Sequence, residues 1–383
     1  MTLSPTSRRL RWLAPAGVAA LVAGAAFTSN ATSASGAPKL PARTAAELLA
    51  SIQDANPAGL SGTIVTTAKL GLPDLPVGEG SGGATLSLQS LATGSHTFRV
   101  WYAGESRQRV AVLGQLSESD VVHNGSDLWT YTSSTRRVTH STIRQPDDIR
   151  GKAKAAIGST PKELAERTLA ALDPSTSVTV DSTARVAGRA TYQLLVEPRD
   201  ARSLIGSIRI ATDAETAVPL RVQVFARGAD APALEAGFTD VSFVVPDASI
   251  FTFVPPAGSE VVEEDLGATM LDRGRGFAGP PVDGSGEVRI RVEEQSADAV
   301  GGNTHGSDKL LGKGWTAVLA LPASAAYEGA GGDLLQRMAT PVAGGRIITS
   351  PLLTVFISDS GPMYVGSVTP EALQTVAATG RAL

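Results

Sequence analysis

The sequence predicts an α+β fold: a broad, curved antiparallel sheet with one apolar face that helices cover. Three observations carry that expectation. Short runs with period-two alternation recur along the chain, as in 96–102 (HTFRVWY), where Phe98, Val100 and Tyr102 share one face and Arg99 takes the other. Forty glycines and 23 prolines punctuate these runs, the composition of many strands and turns. Two short helical patterns, each opened by a capping box, accompany the strands. An antiparallel sheet with one apolar face gives such helices something to lie on.

The first helix is expected from Thr44-Ala45-Ala46-Glu47, because the Thr44 hydroxyl and the Glu47 carboxylate each satisfy a free backbone N–H. Ala45, Leu48, Leu49 and Ile52 follow at helical spacing, and Asn56-Pro57 ends the pattern. Strands are expected at 62–68, 96–102, 107–113 and 127–132, with a glycine-rich loop at 78–83 and a turn at Asn124-Gly125. Thr160-Pro161-Lys162-Glu163 is a second capping box, with proline at the first helical position, where its missing N–H costs nothing. That helix runs through Leu172 and stops at Asp173-Pro174. Strands resume at 177–180, 190–197, 206–212, 220–226, 237–245 and 250–254. The last is cut by Pro255-Pro256, a pair that cannot donate to a ladder and so protects a sheet edge, and Gly258 lets the chain turn away.

From 265 to 313 the chain is rich in Gly, Asp and Arg and carries one strand-like run, 287–292, so it reads as an insertion or linker. Beyond it come 315–321, a short helix near 334–338, strands at 346–357 and 363–368, and a helix from Pro370. The expected organisation is a signal peptide at 1–37, the sheet and its helices at 38–264, the insertion at 265–313, and a C-terminal stretch, 314–383, that completes the same sheet.

Arg8, Arg9 and Arg11 precede an apolar run from 13 to 27, and small residues follow through Ala37, the order of a secretory signal. The run falls short of the ~20 residues that span a bilayer, so cleavage is expected, with an uncleaved anchor as the alternative. A net charge of −4 lacks the basic field that nucleic acid requires. No cysteine is present; an exported chain without disulfides rests on packing alone, and 383 residues suffice for a real core.

Catalytic patterns are missing from the sequence. His96, His123, His140 and His305 have no histidine or cysteine partner at metal-pair spacing. There is no G-x-S-x-G elbow and no P-loop. Residues 274–279 (GRGFAG) match G-x-G-x-x-G letter for letter, but no strand precedes them and Pro280-Pro281 follow where a helix should run. Asp147-Asp148 and Glu263-Glu264 read as solvated turns. The chain is therefore expected to be no enzyme, with no catalytic residue, metal or cofactor. Apolar stripes are what it offers: Phe98, Val100 and Tyr102; Trp129 and Tyr131; Tyr192 and Leu194; Phe251 and Phe253. Each either fills an ordinary core or lines a cavity, and a cavity would bind lipophilic chains at ~25 cal/mol per Å² buried.

Five stretches resemble one family: LSGTIVTTA (60–68), HNGSDLWTYTSSTRRV (123–138), VAGRATYQLLVEPRD (186–200), IRIATDAETAVPLRVQV (208–224) and FTFVPPAGSEVV (251–262). In this order they resemble the superfamily of the lipoprotein carrier LolA and the sigma-factor regulator RseB, nearest to LolA-like proteins of high-GC Gram-positive bacteria. The resemblance implies an open antiparallel β half-barrel, a curved sheet with helices covering its concave, apolar face around a hydrophobic cavity, and it brings no catalytic residues. It implies an exported, extracytoplasmic carrier or chaperone for lipid or lipoprotein acyl chains. Its alternative is an RseB-like envelope sensor that binds a membrane-anchored, anti-sigma-type partner.

Overall fold

The computed structural model describes residues 38–71, 93–114, 118–142, 175–264, 309–322, 339–359 and 361–383. The signal segment, the loop at 78–83, the helix at 160–172, the strand-like run at 287–292 and the helix near 334–338 lie outside the described residues.

Helix α1 (Ala45–Gln53) forms where the capping box places it. The Thr44 hydroxyl accepts from Glu47 N at 3.2 Å, and Thr44 N donates to the Glu47 carboxylate at 2.7 Å. Its apolar side turns Leu48 and Ile52 completely inward.

Twelve strands make the first sheet. One meander comprises β2 (Thr93–Tyr102), β3 (Arg107–Leu113), β4 (Glu118–Asn124), β5 (Asp127–Thr132) and β6 (Arg137–Thr142). A second comprises β7 (Thr176–Val186), β8 (Arg189–Pro198), β9 (Ile205–Asp213), β10 (Pro219–Ala226) and β11 (Pro232–Ser242). Strand β1 (Leu60–Lys69) joins them by pairing with both β2 and β11. The order is β12-β6-β5-β4-β3-β2-β1-β11-β10-β9-β8-β7, where β12 (Glu260–Glu264) adds to β6 in parallel and every other pair is antiparallel.

Bulges at Thr63/Ile64 and Val180/Ser182 bend the strands. The bend is large: Val186, at the end of edge strand β7, packs in one buried cluster with Ile64 of β1 and Phe98 of β2. The sheet is thus curved and unclosed, as the sequence predicts. Its concave side carries Phe98, Leu194 and Ile210, and α1 sits on it, its Leu48 and Ile52 clustering with Leu194, Val196, Ile208 and Val222. Burying each such side chain contributes about 1.5–3 kcal/mol.

Three expectations are corrected. Residues 250–254 are not a strand: Ala248–Phe251 form a 3-10 turn, capped by the Asp247 carboxylate accepting from Ser249 N at 2.8 Å. That local bond competes with ladder formation, and β11 is already paired on both edges. Pro255-Pro256 therefore ends no strand, but precedes a turn closed by Ser259 N donating to Pro256 O, after which the chain returns as edge strand β12. The run 346–357 is likewise two strands, because Ser350 and Leu353 exchange hydrogen bonds that fold it back on itself.

The third correction concerns the C-terminal region, which does not complete the first sheet. Strands β13 (Lys309–Leu311), β14 (Val318–Leu321), β15 (Thr340–Val342), β16 (Gly345–Thr349), β17 (Thr354–Ser358) and β18 (Met363–Gly366) form their own sheet, ordered β13-β14-β18-β17-β16-β15. These strands of three to five residues pair locally and bury their own core against helix α2 (Pro370–Thr379), with Val318, Leu373 and Val376 fully enclosed. The expected boundary after 313 cuts the β13–β14 pair. A bridge between Ser203 and Val368 ties the second sheet to the first, and both belong to one compact unit, Leu40–Leu383. Among the described residues no helix is long and apolar enough to cross a membrane.

Candidate functional site

Register decides which face each candidate residue lines. Across β7–β10 two apolar rows lie side by side: Val178–Val196–Ile208–Val224 and Val180–Leu194–Ile210–Val222. They form the concave floor beneath α1. On the other half of the sheet, Phe98 pairs with Val112 and Val100 with Val110. Phe98, Val100, Tyr192 and Leu194 are buried on this side, and Tyr102 is half-buried at the end of β2.

The remaining four candidates lie on the outer face. Tyr102 is level with Gln108, His123 and then Leu128, whereas Trp129 is level with Val122, Arg109 and Trp101. Trp129 and Tyr131 therefore point away from Tyr102. Phe253 packs with them, its ring 5.5 Å from Trp129 and 6.3 Å from Tyr131. Phe251 is buried in the 3-10 turn, which Arg109 anchors by donating to Ile250 O at 3.0 Å while also binding Asp120. The stretch 251–254, read as lining the inside, instead covers the outside of β3–β6. Periodicity reveals which residues of one strand share a face, but only register relates one strand's face to the next.

A cleft of about 960 Å³ opens on the concave side, beside the N-terminal end of α1. Leu40, Pro41, Arg43 and Ser51 form one wall; Tyr192, Arg185, Asp213 and Glu215 form the other. Tyr192 spans the cleft, since its hydroxyl donates to Pro41 O at 2.9 Å and the Arg43 guanidinium lies 5.6 Å from its ring. The polar side centres on Asp213. Arg189 donates to both its oxygens, at 2.6 and 3.0 Å, and to Glu215 at 2.8 Å. Thr216 donates to Asp213 through its backbone N and its hydroxyl, which folds the acidic turn between β9 and β10. Burial by itself would raise the Asp213 pKa, but the Arg189 and Thr216 donors together hold it below the usual carboxylate range. Bonds to Asp213 and Glu215 push the Arg189 guanidinium further up despite its partial burial.

The sequence pointed to Tyr192 but passed over Arg189, Asp213 and Glu215. Only the fold-back of 213–216 around Asp213 could have singled them out, through the Asp–Thr spacing of a side-chain-closed turn. Among the described residues, no group of three His, Asp or Glu side chains is arranged to hold a metal ion. The arrangement is an apolar floor, a helix covering it, and a charged cleft beside that helix.

The family model of the MucB/RseB N-terminal domain matches residues 86–243, which bears out the resemblance read from the sequence. Similar solved structures include the Pseudomonas aeruginosa MucA/MucB complex, at 16% identity and TM-score 0.41, covering 87% of this chain and 96% of that one. They also include an uncharacterized conserved protein from Thermus thermophilus, at 10% identity and TM-score 0.33, covering 57% and 99%. A LolA superfamily protein from Nitrosomonas europaea is 12% identical with TM-score 0.21, covering 55% and 99%. No curated protein matches the chain.

Proposed function

We propose, from the premise that residues 86–243 are similar to the MucB/RseB N-terminal domain, that the chain is an exported, non-enzymatic binding protein of the cell envelope. Its concave face takes acyl chains of a lipid or lipoprotein. One observation supports this above all: α1 is a plug of only nine residues, laid on continuous apolar rows with a cleft opening beside it. An acyl chain entering under α1 substitutes for Leu48 and Ile52 and buries the same kind of area, at ~25 cal/mol per Å². No cofactor is needed; release follows when α1 returns. Tyr192, Leu194, Phe98, Val100 and Tyr102 are the lining residues of this reading, and Arg43 and Arg185 stay at the wet mouth.

Native mass spectrometry of the purified chain, with titration of a fluorescent fatty acid, tests it. Co-purified acyl lipid and saturable probe binding are expected. A chain free of lipid that takes up no probe overturns the reading.

The matching family model favours a second reading, in which the same face detects lipidated material and the chain docks on a membrane-anchored, anti-sigma-type partner. Crosslinking in intact cells separates the two. The regulator reading requires one defined membrane-protein adduct, and the carrier reading requires none.

A further inference from the structure

His140 of β6 stands between two carboxylates contributed by different strands. Its Nε2 lies 2.8 Å from Asp127 Oδ1 on β5, and its Nδ1 lies 2.8 Å from Glu263 Oε2 on β12. Its ring stacks on Trp129, centroids 3.9 Å apart and planes within 17°, and Trp129 stacks in turn on Phe253. These are the groups that face the imidazole: Asp127 and Trp129 from β5, Glu263 from β12, and Phe253 behind Trp129. Ionised carboxylates only accept, so each contact requires an N–H from the ring. A neutral imidazole has one N–H, and only the imidazolium has two.

The strand tied down by this arrangement is weakly held otherwise. Strand β12 is the sheet's edge, five residues paired in parallel with β6 alone, and parallel pairing is the less stable kind. Three of its five residues are Glu260, Glu263 and Glu264, whose charges repel one another. Its Val261 pairs with Val138, which is fully buried.

We propose that Asp127–His140–Glu263 is a proton-operated clamp: the imidazolium pins β12 to the sheet, and loss of one ring proton releases the strand as pH rises. The remaining N–H stays with Asp127, whose side chain is 47% exposed against 72% for Glu263. Glu263 then faces a nitrogen lone pair, and its contact is lost. Burial pulls the imidazole pKa down, but the bonds to Asp127 and Glu263 outweigh it and hold the value above the ordinary one. The clamp is thus complete below the ordinary histidine pKa of ~6.5 and lost as pH passes the raised one. Release bares the β6 edge. This device is independent of what the concave face binds.

Hydrogen–deuterium exchange of the full chain, converted to protection factors at each pH, tests the clamp. The peptide carrying 260–264 should lose protection several-fold in one single-proton step centred above ~6.5, while peptides from β1 and β2 do not. His140→Gln should abolish the step. Glu263→Gln, whose amide can also donate to the bared ring nitrogen, should shrink the step and move what remains of it to lower pH. Flat protection of 260–264 in the unmodified chain, a step that survives His140→Gln, or an unmoved step in Glu263→Gln overturns the proposal.

Discussion

Arg189 and Asp213 face each other across the β8–β9 pair, joined by hydrogen bonds of 2.6 and 3.0 Å, with the Asp213 side chain only 1% exposed. Removing one partner of a buried pair strands the other, so Arg189→Ala should cost about 3–5 kcal/mol in urea unfolding at neutral pH. Glu215 also binds Arg189 but is 81% exposed, so Glu215→Ala should cost no more than about 1 kcal/mol.

The same pair sets a pH dependence. Asp213 has its pKa lowered on folding, with Arg189 and Thr216 outweighing burial. Its contribution is therefore complete above the unfolded carboxylate value of ~3.9 and lost as pH falls through the lower folded value. Unfolding free energies measured through the acid range should drop over that window, and Asp213→Asn should flatten the drop. An unchanged slope would show that other carboxylates control acid unfolding.

Leu48 is the anchor of α1, 1% exposed and packed with Ile52 on Tyr192, Leu194 and Ile210. Leu48→Ala should destabilise by about 2–5 kcal/mol. If α1 is a displaceable plug, the same change should tighten uptake of a fluorescent fatty acid, because less apolar area has to be displaced. Loss of stability with unchanged or weaker uptake would mark α1 as a fixed part of the core.

The α1 prediction rests on an element that the sequence displayed openly. Thr44 and Glu47 are three residues apart, and capping is a local matter of side chain meeting backbone. Strands β3 and β5 were legible for a similar reason, since alternation there is clean. Strands β4 (ESDVVHN) and β6 (RVTHST) were not, because polar residues occupy both faces and their pairing depends on neighbours. The site divided in the same way. Tyr192 stood out by alternation, but that Trp129 faces outward follows from a register four strands long, which no single strand encodes. The separate C-terminal sheet was hidden because strands this short pair by tertiary context rather than pattern.

The two-sided placement of the aromatics is itself testable. Phe253 rests on Trp129 and Tyr131 outside the sheet, so Phe253→Ala should cost about 0.5–1.5 kcal/mol beyond area burial and alter the near-UV signal of Trp129. It should leave fatty-acid binding unchanged, whereas Tyr192→Ala, at the cleft, should change it. A Phe253→Ala variant that loses probe binding would place the ligand on the outer face.

Trp315 connects the two sheets. It lies in a 3-10 turn between β13 and β14, yet its indole N–H donates to Thr176 Oγ1 of β7 at 2.7 Å and its ring packs on the α1 cluster. Around it, Leu204 N donates to Ser367 O, Thr369 N donates to Arg202 O, and Arg227 braces the loop by donating to Ser203 O. The second sheet has a core of its own under α2, so it depends on this seam for coupling rather than for existence. Trp315→Ala should remove both the indole hydrogen bond to Thr176 and the packing of the ring on the α1 cluster. Calorimetry should then resolve two unfolding transitions in place of one. Trp315→Phe, which keeps the packing and loses only the hydrogen bond, should retain a single transition lowered by about 1 kcal/mol. A single, equally cooperative transition in Trp315→Ala would show that the backbone bonds around Ser203 and Val368 suffice to couple the sheets.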